Sequence, residues 1–276
     1  MSALRQLGGV ASAGQLVAVG VKHRALSKAV QHGRVRRVRR GTYVLPGTSY
    51  LHELQHAWHV VPTCVTALRH FELPQQHVAR GAHVAVSRSQ STGHGHRPLP
   101  PGTHPHYFTR VPELSVIDAI DTSSRCLSPL RQLVAIDAAL NRDLIARGAL
   151  ETFCYTEGRR LDWLRRYCDS GAQSPPETLA RLALVRAGLR VSTQVLLPGV
   201  GRVDMVVNDA LIVEVDGQTY HMDERSFQGD RDRDRVALAE WGLRTMRFTR
   251  YDVELRREMM VQQVVAALRR HLARPL

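Results

Sequence analysis

Lysine is almost missing from this chain of 276 residues. It occurs at positions 22 and 28 and nowhere beyond. Chemistry that needs a lysine ammonium further along is therefore excluded. Acidic residues are missing from the first 50 positions altogether. No apolar run approaches the roughly 20 residues of a membrane-spanning helix, so a membrane protein of that kind is not expected. The opening residues, MSALRQLGGV, lack the basic, apolar and small-residue succession of a secretory signal, and a cytoplasmic protein is expected. The four cysteines, Cys64, Cys126, Cys154 and Cys168, form no C-x-x-C pair, which argues against a zinc ribbon. Their wide spacing reads as reduced, mostly buried thiols.

What is present is a globular composition, 43% apolar, with length for two or three domains. The net charge is +13, and it is unevenly placed. Residues 1–50 carry nine basic side chains and no acid. Residues 51–174 hold 13 basic and 11 acidic residues, and residues 175–276 hold 16 and 14. So +9 of the +13 lies in the first fifth of the chain. A local excess of this kind is the electrostatic footprint of nucleic-acid binding, the alternative being a merely solvated basic terminus.

Residues 1–50 read as two short helices and a basic hairpin. Ser12 and Gln15 fit a capping box for a helix to Val19, which Gly20 ends. A second helix follows from about Lys22 to Gln31, with Gly33 at its stop. In "RVRRVRRGTYVL" Val35, Val38, Tyr43, Val44 and Leu45 give strand character, and Gly41 marks the turn. Helices followed by such a hairpin make a winged helix-turn-helix, whose second helix enters the major groove while the wing grips phosphate. Lys22, His23, Arg24 and Lys28 fall on or at the start of that helix. Arg36, Arg37, Arg39 and Arg40 fall in the wing, where the planar guanidinium suits phosphate. The progression "GGVASAGQLVAVGV…RALSKAV…GRVRRVRRGTYVLPG" resembles the N-terminal winged helix of type IV abortive-infection antitoxins. The resemblance implies DNA as partner, although a winged helix also serves to bind protein.

The middle segment, residues 51–170, is expected to be α/β. Helical spacing covers His52–Leu68, Leu114–Ile120 and Leu130–Leu140, and "HVAVSRS" reads as a strand. "SQSTGHGHRPLPPGTHPHYF" reads as a Gly/Pro/His-rich connection. Its His94, His96, His104 and His106 form two H-x-H pairs. No cysteine or carboxylate accompanies them in that stretch, so solvated loop histidines are expected, with zinc ligation as the alternative. The segment is roughly similar to the linker domain of the same antitoxins, and no chemistry is assigned to it.

The C-terminal segment, residues 171–276, contains "LIVEVDGQTYH", an apolar strand that ends in two carboxylates. Glu214 and Asp216 point to one face, about 6.5–7 Å apart at Cα. Burying them needs a compensator: a divalent cation, arginines with hydrogen bonds, or simple exposure at the strand end. "SPPETLARLALVRAGL" has Ser174 as N-cap, prolines in its first turn and Gly188 at its end. Glu177 and Arg181, four apart, share a helix face. A strand with Gln194 follows, then a hairpin turning at Asn208-Asp209 that brings Asp204 to Glu214. A charged helix, a strand and a closing amphipathic helix complete the order helix, three strands, helix, strand, helix. The Asp230–Arg235 run of alternating charge reads as a solvated face, with its arginines as alternative contacts to a nucleic-acid strand.

"SPPET…R", Gln194, "RVD" (Arg202–Asp204), "EVDG" (Glu214–Gly217), His221 and "RF" (Arg247, Phe248) resemble the PD-(D/E)XK nuclease superfamily, in the branch similar to very-short-patch-repair endonucleases. That resemblance implies Mg²⁺ or Mn²⁺ held by Asp204, Glu214 and the Val215 carbonyl, with Glu177 in the outer shell. It implies Gln194 orienting water or phosphate, and His221 as base or phosphate contact. The superfamily's usual lysine is replaced by Asp216, a change known in this branch. The architecture expected is mixed α/β: a winged helix over 1–50, an α/β linker over 51–170 and a restriction-endonuclease-like core with a mixed sheet over 171–276. The function expected is metal-dependent DNA cleavage targeted by the winged helix, in defence or repair. The alternative is a DNA-binding regulator or antitoxin with an inert nuclease-like domain. A second copy of the chain, or a toxin or defence protein, is the partner class besides DNA.

Overall fold

The computed structural model describes residues 2–75, 81–90, 99–216 and 224–272. The chain is mixed α/β and divides into two compact units, Met1–Cys126 and Leu127–Leu276. The sequence suggested three segments. The winged helix and the strands after it share the first unit, and the helices over 129–167 belong to the second.

The first unit begins α1 (Ser2–Gln6), β1 (Val10–Ser12), α2 (Ala13–Ala18), α3 (His23–Gln31), β2 (Arg36–Arg39) and β3 (Thr42–Val44). Ser12 caps α2 through the reciprocal box with Gln15, as its sequence indicates. The sheet order is β1-β3-β2, so the hairpin is completed by a strand from before the helices. Both α1 and β1 escaped the sequence reading because five and three residues are too few to show a period. Leu4, Ala11, Leu16, Leu26, Val35 and Leu45 form the buried centre of this winged helix.

Next come α4 (Tyr50–Ala57), β4 (Val61–Pro62), α5 (Cys64–His70), β5 (Ala82–Ser87), β6 (Thr103–Phe108) and α6 (Val116–Thr122). The single helix expected over 52–68 is two. His59 turns left-handed at φ 53°, and Pro62 has no amide to continue a helical ladder. β5 pairs antiparallel with β4 and parallel with β6. His104 and His106 therefore stand in a strand rather than a loop, while His94 and His96 lie outside the described residues.

The second unit contains α7 (Pro129–Asn141), α8 (Gly158–Tyr167), α9 (Pro175–Arg186), β7 (Val191–Leu197), β8 (Gly201–Val207), β9 (Leu211–Asp216), α10 (Glu224–Trp241), β10 (Arg244–Thr249), α11 (Arg250–Leu255) and α12 (Arg257–Leu272). The closing helix of the sequence reading is thus split at Arg256, whose φ of −126° and ψ of 29° leave helical geometry and end α11 before α12 begins. The sheet order is β10-β9-β8-β7, with β10 parallel to β9 and the other pairs antiparallel. Asn208 and Asp209 both adopt positive φ, 52° and 55°, in the loop Asn208–Ala210 between the paired Val207 and Leu211, and the Ala210 amide closes the turn on the Val207 carbonyl at 3.1 Å. Alternation then sorts β9. Leu211, Val213 and Val215 pack in the core that includes Leu179, Leu184 and Val264 of the outer helices, whereas Ile212 packs with Ala237 of α10. Glu214 and Asp216 share the parity of Ile212, and so point to the α10 face.

Arg181, four residues from Glu177 in α9, is buried as Glu177 is. It is 5% exposed and donates to Asp137 Oδ2 at 2.9 Å and to the Tyr167 carbonyl at 2.7 Å, tying α9 to α7 and to the end of α8. Burial pushes the Asp137 carboxyl up to about 6, against the pull of Arg181. The folded chain therefore holds this proton more tightly than the unfolded chain. Its contribution to stability grows as pH falls from about 6 toward 4 and is level above that window. Between about pH 6.5 and pH 5, urea unfolding should show the wild type gaining about 1 kcal/mol relative to Asp137→Asn. Parallel pH responses in the two proteins would remove Asp137 as the titrating group.

Candidate functional site

The winged helix presents its basic residues in two groups. Leu26 anchors α3, and Lys22, His23, Arg24, Ser27, Lys28 and Gln31 remain exposed around it. Arg24 and Lys28, four apart, lie on one face of the helix, with Lys22 at its N-cap. The wing is less uniform than its sequence. A bulge between Arg37 and Arg39 interrupts the β2–β3 register. Arg36 donates at 2.5 Å to Glu53, whose side chain is only 9% exposed. Arg39 donates to the Thr42 hydroxyl at 3.1 Å, with its guanidinium 6.0 Å from the Trp58 ring. Arg37 and Arg40 are exposed and make no ion pair among the described residues. Arg36 and Arg39 thus have partners within the fold and help to fix the wing. Lys22, Arg24, Lys28, Arg37 and Arg40 keep their place on the candidate surface.

In the second unit the strand register gathers the carboxylates. β8 and β9 pair as far as Met205↔Val213, which leaves Asp204 next to Glu214 at the following position. The Val215 amide donates to Asp204 Oδ2 at 2.9 Å. Gln194, at φ 50°, faces Asp204 across the β7–β8 ladder, where the pairing skips from Thr193↔Met205 to Val195↔Val203. Its side-chain amide donates to Glu177 Oε2 at 3.2 Å. Glu177 also accepts from the Gln173 amide at 2.8 Å and the Ser174 hydroxyl at 2.6 Å, and Ser174 in turn caps α9. Burial pushes the Glu177 carboxyl up from its ordinary value, and the charge of Asp204 adds to this.

Arginines compensate Glu214. Arg247 Nε donates to Glu214 Oε2 at 3.1 Å, and Arg233 approaches Oε1 at 3.5 Å. Arg247 also holds Asp234 with two bonds, 2.7 and 2.9 Å, and Arg233 donates to the carbonyls of Val200 and Arg202 at 2.8 Å each. Burial still pushes the Glu214 carboxyl up, while Arg247 draws Asp234 down. Of the three ways to compensate the "EVD" carboxylates, Glu214 uses the second, arginines with hydrogen bonds. Asp216 is half-buried at the end of β9, and His221 lies outside the described residues. Sequence reasoning missed Arg233 and Asp234. They belong to the Asp230–Arg235 run read as a solvated face, yet these two residues turn inward onto the sheet. Helical spacing from the buried Ala237 was the available clue, since residues three and four before it share its side.

Oxygen donors suited to a hard cation are present in Asp204, Glu214 and the Val215 carbonyl. Three carboxylates do not converge there, however. Among the described residues, the one group of at least three His, Cys, Asp or Glu ligand atoms lying within 4.8 Å of one another is Cys64, His83, His106 and Cys126, in the first unit. The sequence reading placed neither cysteine nor His83 with the histidine pairs. A groove of about 1060 Å³ between α7, α8, α9 and α12, lined by Trp163, Leu179, Val261 and several arginines, touches none of the carboxylates either.

Residues 1–46 match the family model of a transcriptional regulator, AbiEi antitoxin. The match coincides with the winged helix and ends two residues past β3. A search of curated proteins gave no match. No helix among the described residues is long and apolar enough to cross a membrane.

The two classes of wing arginine separate in stability. Arg36→Ala leaves Glu53 buried without its partner and should destabilise the chain by about 1–3 kcal/mol. Arg37→Ala and Arg40→Ala should stay within about 0.5 kcal/mol of wild type. Chemical denaturation of the three variants checks this, and equal losses would refute the division.

Proposed function

We propose that this protein is a DNA-binding regulator of the antitoxin class, which grips duplex DNA with α3 and the tip of the wing. The observation that carries the reading is the exposed set Lys22, Arg24, Lys28, Arg37 and Arg40 on a winged helix without a single acid in its first 50 residues. The match of residues 1–46 to a transcriptional regulator family supports it. Arg24 and Lys28 would face base edges in the major groove, and Arg37 and Arg40 the flanking phosphates. Binding to a duplex should weaken steeply with salt. Replacing Arg37 and Arg40 together by alanine should reduce the log–log salt slope by about 0.9 for each phosphate left unneutralised. Fluorescence anisotropy across a salt series measures this, and an unchanged slope would exclude the wing from the interface.

A second reading rests on the strand register that sets Asp204 beside Glu214. In it the C-terminal unit hydrolyses phosphodiesters. Asp204, Glu214 and the Val215 carbonyl would hold Mg²⁺ or Mn²⁺, and Glu177 and Gln194 would orient a water or phosphate near them. The ion would supply an activated water and offset charge on the phosphate. Arg233 and Arg247 would have to yield at Glu214, since both now approach its carboxylate. This engagement favours the regulator reading. Calorimetric titration of the full chain with Mg²⁺ and Mn²⁺, with and without duplex DNA, decides between them. Under the nuclease reading, ion binding and DNA cleavage both disappear in Asp204→Ala and Glu214→Ala. Wild type that binds DNA but neither takes up the ion nor cuts would leave the regulator reading alone.

A further inference from the structure

We infer that Cys64, His83, His106 and Cys126 form a structural zinc site within the first unit. Their ligand atoms all lie within 4.8 Å of one another. His83 Nδ1 and His106 Nε2 are 2.9 Å apart, and each is 3.3 Å from Cys126 Sγ. A tetrahedral S₂N₂ shell with ordinary zinc bond lengths has edges of about 3.3–3.8 Å, so small side-chain adjustments close this set around one ion. Two thiolates and two imidazoles favour Zn²⁺ over the oxygen-seeking Mg²⁺ or Ca²⁺. Four protein ligands leave no open position, which makes the site structural rather than hydrolytic.

The scaffold presents these ligands from four separate elements. Cys64 is the first residue of α5, His83 is on β5, His106 is on β6, and Cys126 follows the turn after α6. The parallel register sets His106 beside Ala85, one pleat from His83 on the same face. Cys64 is fully buried and adopts φ 53°, a conformation uncommon for a residue with a side chain. Its amide donates to the Thr122 hydroxyl at 3.0 Å, which fixes this geometry from α6. The His83 amide donates to Thr66 in the first turn of α5 at 2.7 Å. Arg125 stacks over Phe108, 4.3 Å from the ring centroid, and so seats the Cys126 turn against the end of β6. Cys126 is exposed, which gives an ion a way in.

Without a cation the two thiols oppose each other. Hydrogen bonds from Cys64, and then from His106 and His83, hold the Cys126 thiol below its usual range. Its bond to Cys126, together with burial, pushes the Cys64 thiol up. An ion bound by the two cysteines would displace their thiol protons to solvent.

The test uses the purified full chain and zinc alone. Elemental analysis after dialysis against Zn²⁺ should give one equivalent per chain. Co²⁺ in its place should give the visible bands of a tetrahedral site with thiolate charge transfer. Cys126→Ser and His106→Ala should each lose stoichiometric zinc and these bands, whereas Cys154→Ser should keep both. Should a variant not fold, the wild type still decides. Bound zinc should block alkylation of Cys126 in mass-mapped peptides, and a chelator should restore it. Wild type without stoichiometric zinc, metal retained in both ligand variants, or a Cys64–Cys126 disulfide in place of the metal would overturn the site.

Discussion

The C-terminal unit depends on one guanidinium. Arg247 lies in β10, directly across the parallel register from Glu214, and bonds Glu214 and Asp234 together. Its bonds allow a carboxylate to sit on a sheet face covered by a helix. Remove that cation in thought, and Glu214 faces Asp204 and Asp234 with Arg233 as the remaining arginine that draws it down. Like charges at such separations in a partly dry site resist joint ionisation. The packing of α10 against β8 and β9 is therefore tied to the charge state of this cluster.

Near-exclusive use of arginine fits the way this chain employs its cations. Arg247 binds two acids at once, Arg233 binds an acid and two carbonyls, and Arg181 bridges an acid and a carbonyl inside the second unit. A lysine has no planar fork with which to hold several acceptors in fixed directions. The same habit appears in the wing, where Arg36 fixes Glu53 while Arg37 and Arg40 face solvent. Identical residues in one sequence run thus separate into those held by the fold, Arg36 and Arg39, and those left to solvent, Arg37 and Arg40.

Much of this was legible in the sequence. Ser12–Gln15, Ser174–Glu177 and Asn208–Asp209 each carry their local structure in a few neighbouring residues, and each appears where its chemistry indicated. The order of strands and helices in the C-terminal segment followed from apolar patterning with cap and turn residues, except that the closing helix is two, α11 and α12. Less could be seen where partners come from far apart. Glu53 is 17 residues from Arg36, and Arg247 is 33 from Glu214. Cys64, His83, His106 and Cys126 are spaced too widely and too irregularly to form a motif. Only the sheet and the helices beside it bring them together.

The Asn208–Asp209 turn acts as a ruler for the acids beyond it. With Ala210 it sets the pairing of β8 with β9, and that pairing decides which residue of β8 stands beside Glu214. One residue added to the turn would slip the ladder and exchange the two faces of a strand. Asp204 would then point among Met205's present neighbours, Leu211 and Val213, and a valine would stand beside Glu214. The chemistry available to this end of the sheet is therefore set at its opposite end, by a hairpin that touches none of the groups concerned.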